Sequence, residues 1–304
     1  MGKRMLITST DLMMIQFLVP HVFNLAEHGY EVEIACSEVG GRMEEIREKL
    51  KGYVKQIHTV RLVRSPASFS NFKGYRDMKR VIHSGAYDII WTNEPVMGVV
   101  TRLAARQARK RGTKVLYMVH GFHFYKGAPV WNWLVYYPIE SFASRFCDEI
   151  VTINREDYKR AKRLHAAEVK YIHGIGVDTT TLNQKTIHTD IRRQLGLQDN
   201  DFIVLSVGEL NKNKNHKVII KAISQIHDKN MKYILCGKGA QQKSLEKLAK
   251  KCKVSSQIFF LGYRKDVADI CQQSDIFAFP SYREGLGLAS LEAMYSGLPL
   301  VASA

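Results

Sequence analysis

Residues 276–294, IFAFPSYREGLGLASLEAM, give the clearest indication of the fold. It begins with an apolar run, 276–280, which predicts a buried strand. It continues into a helical pattern that stops near Gly297. A short loop that contains glycines therefore carries a strand directly into a helix.

The start of this predicted helix is a candidate anion site. A helix N-terminus carries partial positive charge and unpaired N–H donors, which suit a phosphate group. The donors here would be the backbone N–H groups of Gly285, Leu286, Gly287 and Leu288. A structural interpretation stays open, because Ser281 and Glu284 have the spacing of a capping box and Glu292 would then be a solvated helix residue.

Length, composition and charge limit the class of protein. A chain of 304 residues is long enough for two domains with separate cores, and 45% hydrophobic residues is ordinary for a globular protein. The net charge of +16 favours anionic partners such as nucleotide diphosphates or anionic lipid headgroups. No nucleic-acid-binding motif is recognised, so we expect no nucleic-acid partner.

Cysteines and apolar runs bear on the compartment. The five cysteines are scattered, with no C-x-x-C pair and no metal-ligand spacing, which predicts buried free thiols, a reducing cytosol and no metal site. The N-terminus enters a strand pattern rather than a signal peptide. No apolar run reaches the ~20 residues of a membrane-spanning helix. We therefore expect a cytoplasmic protein.

Strand and helix patterns alternate in two series, which end near residue 172 and begin again at Phe202. Such alternation predicts parallel sheets covered by helices on both faces. Glycines and polar residues at 174–181 suit a hinge, so we predict domains at 1–175 and 176–304. The chain stops directly after a predicted strand, which suggests that the second domain is truncated.

Two further loops carry candidate residues at strand ends, where open α/β folds bind ligands. In the second series, Gly208 leads into a loop with Lys212 and Lys214, which would neutralise a diphosphate unless the loop is only a solvated basic turn. In the first series a strand ends at His120, although a lone histidine is more often structural. Neither domain has a Walker loop or a complete G-x-G-x-x-G, so a P-loop kinase and a dinucleotide oxidoreductase are unsupported.

Two surface candidates lie in the first series. Residues 122–146 are dense in Phe, Tyr and Trp, which suits a membrane interface or sugar stacking, or else a core or interdomain helix. The basic segment 102–111 suits a solvated helix face or contact with anionic lipid.

These features together resemble the retaining GT-B glycosyltransferases, which take sugars from nucleotide diphosphates. The resemblance rests on the Glu284-x7-Glu292 pair, on residues 283–288 and 297–299, and on the HGFH segment at His120. The chain is most similar to bacterial enzymes of capsular and exopolysaccharide assembly. The implied fold is two Rossmann-like doubly wound α/β domains that face each other across a cleft. The first would bind the acceptor and the second the nucleotide sugar.

The resemblance implies a role for each matching residue. Glu284 would contact the donor sugar, Glu292 would hydrogen-bond the ribose hydroxyls, and His120 would reach the sugar from the other domain. His120 and Glu284 are thus the catalytic candidates. The implied nucleotide-sugar-binding residues are Gly208, Lys212, Lys214, Arg264, Gly285, Leu286, Gly287, Leu288 and Glu292. One departure is Glu209, which stands where the family often has Arg, so that Lys212 would substitute for it.

The implied activity is transfer of a hexose, with retention and without metal or cofactor, from a UDP-sugar. The acceptor would be a lipid-linked saccharide or a polysaccharide. A cytoplasmic enzyme would then rest on the anionic inner face of the membrane. Two alternatives stay open, namely a nucleotide-sugar epimerase of the same fold and a non-catalytic nucleotide-binding fragment.

Overall fold

The computed structural model describes residues 2–10, 12–39, 41, 43–66, 68–177, 179–182 and 188–303. The chain divides into two compact units, Met1–Ile175 and Gly176–Ala304. Asp178, within the predicted hinge, lies outside the described residues.

The first unit is a seven-stranded sheet in the order β3-β2-β1-β4-β5-β6-β7, in which every neighbouring pair is parallel. Its strands are β1 (Arg4–Ser9), β2 (Glu31–Cys36), β3 (Val54–Thr59), β4 (Ile89–Asn93), β5 (Lys114–Val119), β6 (Glu149–Thr152) and β7 (Glu168–Tyr171). Its helices are α1 (Leu12–Glu27), α2 (Met43–Leu50), α3 (Ser70–Gly85), α4 (Pro95–Ala104), α5 (Arg106–Lys110), α6 (Val130–Ala143) and α7 (Arg155–Ala161).

The second unit is a five-stranded parallel sheet in the order β10-β9-β8-β11-β12. Its strands are β8 (Phe202–Val207), β9 (Met231–Cys236), β10 (Ile258–Gly262), β11 (Ile276–Phe279) and β12 (Leu300–Ala302). Its helices are α8 (Thr179–Leu182), α9 (Ile191–Leu195), α10 (Lys217–Ile226), α11 (Gln242–Lys251), α12 (Val267–Gln272) and α13 (Leu288–Tyr295). The predicted α/β class with parallel sheets is confirmed.

Both sheets are covered on both faces, as the strand sequences show. Successive side chains of a strand point to opposite faces. In β1, Leu6 packs into one apolar cluster, while Met5 and Ile7 pack into another. In β8, Val204 and Leu205 divide in the same way. Continuous apolar runs are therefore required in the central strands, because neither of their faces meets solvent.

The described residues bear on two predictions, namely that the cysteines are free thiols and that no helix spans a membrane. All five cysteines are free; Cys252 is partly exposed and the others are buried. Burial raises the pKa of Cys36 and of Cys271 to about 12, so these thiols stay protonated at neutral pH. Within the described ranges, no helix combines the length and the apolar content that crossing a bilayer requires.

Strand order places one crevice in each unit. In a parallel sheet, loops diverge where the strand order reverses, and ligands bind outside the carboxyl ends of the strands there. In the first unit the chain builds β2 and β3 on one side of β1 and then returns to build β4 on the other side, so the strand order reverses at β1. In the second unit the same reversal occurs at β8, which has β9 on one side and β11 on the other. Gly208 and Glu284 follow β8 and β11, so the predicted loops meet at this point.

Candidate functional site

Glycines let the loops of the second unit approach each other closely. Gly208 has φ +152°, and a Cβ atom on it would lie 3.0 Å from the Lys214 Cε atom. Gly237 has φ +151°, and a Cβ atom there would lie 1.8 Å from the Gly208 carbonyl oxygen. Such backbone conformations and contacts exclude larger residues. The Lys214 side chain can therefore lie across the end of β8.

The structure brings Lys214 and Glu284 together, although they lie in different loops. The Lys214 Nζ atom is 2.8 Å from Glu284 Oε1, and both side chains are partly buried. The same ammonium group lies 5.0 Å from the ring centroid of Phe279, the last residue of β11. A carboxylate and an aromatic face hold the cation in one place. The crevice thus contains a positioned positive charge beside a carboxylate.

Two asparagines order the lysine loop, and one of them joins it to the Glu284 loop. The Asn213 side chain donates a hydrogen bond to the Arg283 carbonyl oxygen (2.7 Å), and its backbone carbonyl accepts one from Tyr282 N–H (2.8 Å). The Asn211 side-chain oxygen accepts one from Lys214 N–H (2.9 Å). The sequence analysis missed both residues. The available signal was that Asn side chains bond to nearby backbone in turns.

The helix after Glu284 starts without a side-chain cap. Helix α13 begins at Leu288, and its N-cap is Gly287 in the left-handed region (φ 74°, ψ 49°). The capping-box interpretation of Ser281 and Glu284 is therefore wrong, because both residues precede the helix start. A glycine cap leaves the first N–H groups without a side-chain acceptor. The N–H groups at this helix start are suited to an external anion, and the binding roles of Gly285, Leu286, Gly287 and Leu288 stay a prediction.

Glu292 lies within α13 and is partly buried. Burial raises the pKa of its carboxyl group. A carboxylate that has lost hydration is stabilised by hydrogen-bond donors, and sugar hydroxyls are donors of this kind. Its position is thus compatible with a ligand that presents hydroxyl groups.

Two other predicted binding residues of this unit, Arg264 and Lys212, form no hydrogen bond or ion pair with the Lys214–Glu284 pair within the described part of the chain. Arg264 forms a two-point ion pair with Asp266, in which Nε donates to Oδ1 at 2.8 Å, and this pairing raises the pKa of the guanidinium. Lys212 is exposed. Glu209 is also exposed, and its carboxylate accepts a hydrogen bond from the Asn211 side chain (3.1 Å). Lys214 and Glu284 are therefore the paired residues of the crevice.

His120 lies at the carboxyl end of β5 in the first unit. Its Nε2 atom is 3.0 Å from the side-chain oxygen of Asn93, at the end of β4. Burial lowers the pKa of His120 to about 4, so the ring is neutral at pH 7 and donates to Asn93 through Nε2–H.

Glu94, which the sequence analysis missed, follows Asn93 in a backbone region (φ 63°, ψ 155°) that is almost confined to glycine. Its carboxylate accepts hydrogen bonds from Thr10 N–H (2.8 Å) and from the Ser9 hydroxyl. Burial raises the pKa of this carboxyl group. Strained backbone is often found at functional sites, and here it places a carboxylate beside the end of β1.

Potential metal ligands were also examined. Within the described ranges, no three His, Cys, Asp or Glu side chains are grouped so that they could hold a metal ion. The expectation that no metal is needed stays a prediction.

Comparison with known proteins adds independent information. Residues 188–304 match the family model "Glycosyl transferases group 1", and residues 22–181 match "Glycosyltransferase Family 4". EpsD of Bacillus subtilis (strain 168), described provisionally as a glycosyltransferase, is 38% identical over 310 residues, covering 100% of this chain and 79% of EpsD.

Two further relatives are informative. The Escherichia coli UDP-Gal:alpha-D-GlcNAc-diphosphoundecaprenol alpha-1,3-galactosyltransferase is 27% identical over 288 residues, covering 92% of this chain and 73% of that enzyme. The crystal structure of Anabaena HepE in complex with UDP and glucose superposes with a TM-score of 0.77 at 20% identity, covering 99% of this chain and 80% of HepE. At that identity the similarity shows a shared fold. From the two family models and the relationship to EpsD, we conclude that the chain belongs to the group 1 glycosyltransferases and has two Rossmann-like domains of the GT-B type.

Proposed function

We propose that this glycosyltransferase moves a hexose from a UDP-sugar to a lipid-linked saccharide or polysaccharide, with retention at the anomeric carbon. The observation that carries the proposal is the Lys214–Glu284 ion pair beside the uncapped start of α13. Together they supply a cation, N–H donors and a carboxylate. A nucleoside diphosphate sugar presents two phosphates and several hydroxyls to match them.

Lys214 and the helix start would act on the leaving group. As the bond between the anomeric carbon and the phosphate oxygen breaks, negative charge grows on the diphosphate. A lysine already held in place, together with aligned N–H donors, stabilises that charge without reorganising during the reaction. These groups would supply the positive charge that a metal ion supplies in other transferases, so we expect transfer without added metal.

Glu284 would change partner when the donor binds. In the structure its carboxylate is paired with Lys214. A diphosphate would share the lysine, which leaves the carboxylate oxygens to accept hydrogen bonds from sugar hydroxyls. Glu292, whose burial disfavours its charged form, would accept from the ribose hydroxyls in the same way.

Retention would follow from attack on the same face that the leaving group departs from. The acceptor oxygen bonds to the anomeric carbon while the carbon–phosphate-oxygen bond breaks, and the hydroxyl proton of the acceptor passes to a phosphate oxygen. This route needs no protein nucleophile. The contact of His120 with the donor sugar stays a prediction.

Donor and acceptor classes are inferred from the relatives. The name of the Escherichia coli relative specifies UDP-Gal and a diphosphoundecaprenol-linked sugar, and HepE was solved with UDP and glucose. These support a UDP-hexose donor and a polyprenyl diphosphate acceptor here. The net charge of +16 would favour the anionic cytoplasmic surface of the membrane, where such an acceptor is embedded.

The first test combines calorimetry and transfer assays on Lys214→Ala and Glu284→Ala. We expect each variant to lower transfer at least ~100-fold, since each removes a group that acts in the transition state. Lys214→Ala should also weaken UDP binding, whereas Glu284→Ala should weaken UDP-sugar binding more than UDP binding. The matched control is Lys217→Ala, which removes an exposed lysine from the nearby helix α10.

Three results would contradict the proposal. Near-normal turnover in both variants would show that the crevice has no role in catalysis. Release of a free nucleotide-sugar epimer without any acceptor would show an epimerase. Binding of UDP without transfer to any acceptor would show a non-catalytic module. A donor panel of UDP-glucose, UDP-N-acetylhexosamines and GDP-mannose would identify the sugar.

A further inference from the structure

Helix α6 (Val130–Ala143) presents an apolar face to solvent. Trp131 is 73% exposed, Leu134 61% and Phe142 50%, and Val135 and Pro138 are also exposed. Their spacing of three or four residues places them on one side of the helix. An apolar patch that is exposed on a folded protein is often a binding surface.

The opposite side of α6 is fixed to the core of the first unit. Glu140 is buried, and its carboxylate lies 2.7 Å from Arg102 Nη2 and accepts a hydrogen bond from the Tyr117 hydroxyl (3.0 Å). Arg102 is fully buried, so the idea that it belongs to a solvated basic face is wrong. Because a buried ion pair is costly to break, it holds the helix in one orientation. The apolar face is therefore a constant feature of this unit.

Cations border the C-terminal end of this face. The Phe142 ring packs against Phe146 (centroids 5.3 Å apart), and the Arg106 guanidinium lies 4.8 Å from the Phe146 centroid. Arg109 Nη1 donates to the Arg145 carbonyl oxygen (2.9 Å). Arg106 and Arg145 are exposed. Aromatic and aliphatic side chains edged by arginines are the composition of a membrane-surface helix.

We propose that the outer face of α6, defined by Trp131, Leu134, Val135, Pro138 and Phe142, docks on an anionic lipid bilayer. The apolar side chains enter the headgroup region, and Arg106 and Arg145 contact acidic headgroups. The biological reason for docking rests on the proposed function, in which the acceptor is embedded in the membrane. The observations that support docking are those of the α6 surface.

The test is flotation with vesicles of phosphatidylcholine that contain or lack phosphatidylglycerol. We expect the wild-type chain to float with the anionic vesicles, and the double variant Trp131→Gln, Leu134→Gln to bind at least tenfold more weakly. The matched control is Val218→Gln, Ile226→Gln, which changes two exposed apolar residues of α10 and should bind like wild type. Thermal unfolding should be unaffected by these changes, because all four side chains are exposed.

A second pair of variants tests the electrostatic attraction between α6 and the anionic headgroups. Arg106→Gln, Arg145→Gln should lower binding to anionic vesicles about thirtyfold, since each cation near the surface contributes about one kcal/mol. Lys247→Gln, Lys250→Gln, on exposed positions of α11, removes the same charge and should have little effect. Equal losses in the two pairs would show attraction by net charge alone and would overturn the assignment to α6.

Other outcomes separate this inference from the proposed activity. Normal transfer to a short-chain, water-soluble acceptor by the α6 variants, with loss of vesicle binding, supports docking. Absence of vesicle binding by the wild-type chain overturns docking and leaves the donor-site tests intact. A wild-type dimer that the α6 variants convert to a monomer would make the face a self-interface, which also overturns the inference.

Discussion

The two units have the same strand order around their first strand, yet they build the adjacent crevice from different groups. In the first unit the order is β2-β1-β4, and in the second it is β9-β8-β11. In the first crevice Glu94 accepts hydrogen bonds from Ser9 and Thr10. Glycines line the second, where Gly208 leaves room for Lys214 and Gly237 leaves room for the Gly208 carbonyl group.

The difference gives the two crevices different chemical groups although their strand order is the same. Glycines bring backbone and a lysine side chain to the crevice, which suits the size and charge of a phosphate. The first crevice instead holds a strained glutamate and a hydroxyl side chain that donates to it, and the positive charge of Arg64 acts on the glutamate carboxyl group. Three experiments test this difference between the units.

The largest expected effect is on the glycine crevice. Gly237→Ala places a Cβ atom 1.8 Å from the Gly208 carbonyl oxygen and 2.8 Å from its carbonyl carbon. Backbone atoms must move to relieve this overlap, and Gly208 N–H would then lose its bond to the Cys236 carbonyl (2.9 Å). We expect the free energy of unfolding, measured with urea, to fall by about 4 kcal/mol or more.

The matched control is Gly196→Ala, in the same unit. Gly196 also has a positive φ of +64°, but no atom lies within 4 Å of a Cβ atom built on it. That variant should lose about 1 kcal/mol from backbone strain alone. Equal losses in the two variants would mean that close approach at Gly237 contributes nothing.

The second expected effect concerns His216 in the second unit and His120 in the first, because burial lowers the pKa of both. Burial, assisted by the charge of Lys214, lowers the pKa of His216 to about 4 from an ordinary value of 6.5. Between these pH values the unfolded chain binds a proton that the native protein does not. Stability is therefore complete above pH 6.5 and is lost as the pH falls toward 4, by about 3 kcal/mol for this residue.

Two variants measure this contribution. His216→Asn keeps a polar group near the Tyr233 hydroxyl, which lies 3.0 Å from His216 Nδ1, and should flatten the loss of stability between pH 7 and pH 4. His120→Gln should act in the same direction and by a similar amount, because the pKa of His120 is lowered to about the same value of 4. Unfolding curves at several pH values would check both, and an unchanged slope in His216→Asn would contradict the prediction.

The smallest expected effect concerns the strained glutamate. Glu94→Ala should destabilise the chain, because it removes the acceptor of Ser9 and Thr10 while the backbone stays at φ 63°. Glu94→Gly loses the same bonds but relieves the strain, so we expect it to be about 1 kcal/mol more stable than Glu94→Ala. Glycine is usually the less stable of the two, and that usual order in denaturant midpoints would disprove backbone strain here.

The residues predicted from sequence were those with a strong local signal. Continuous apolar strands and alternating helices determine a parallel sheet, because both faces must be covered. The loop that contains Gly208 and Lys214 could be identified because it directly follows an apolar run, and so could the loop before α13. Glu94 could not, since its backbone angles depend on contacts with Ser9 and Thr10, far away in the chain.

The sequence by itself determined the two α/β units, the glycine loops and the family, because periodicity and short motifs are local properties of the chain. Only the tertiary structure decided that Lys214 pairs with Glu284, that the helix cap is Gly287, and that Arg102 is buried against Glu140. It also decided that one face of α6 is left exposed. Partners in an ion pair and the sides of a helix are chosen by packing between distant segments, for which neither the spacing nor the composition of a single segment carries information.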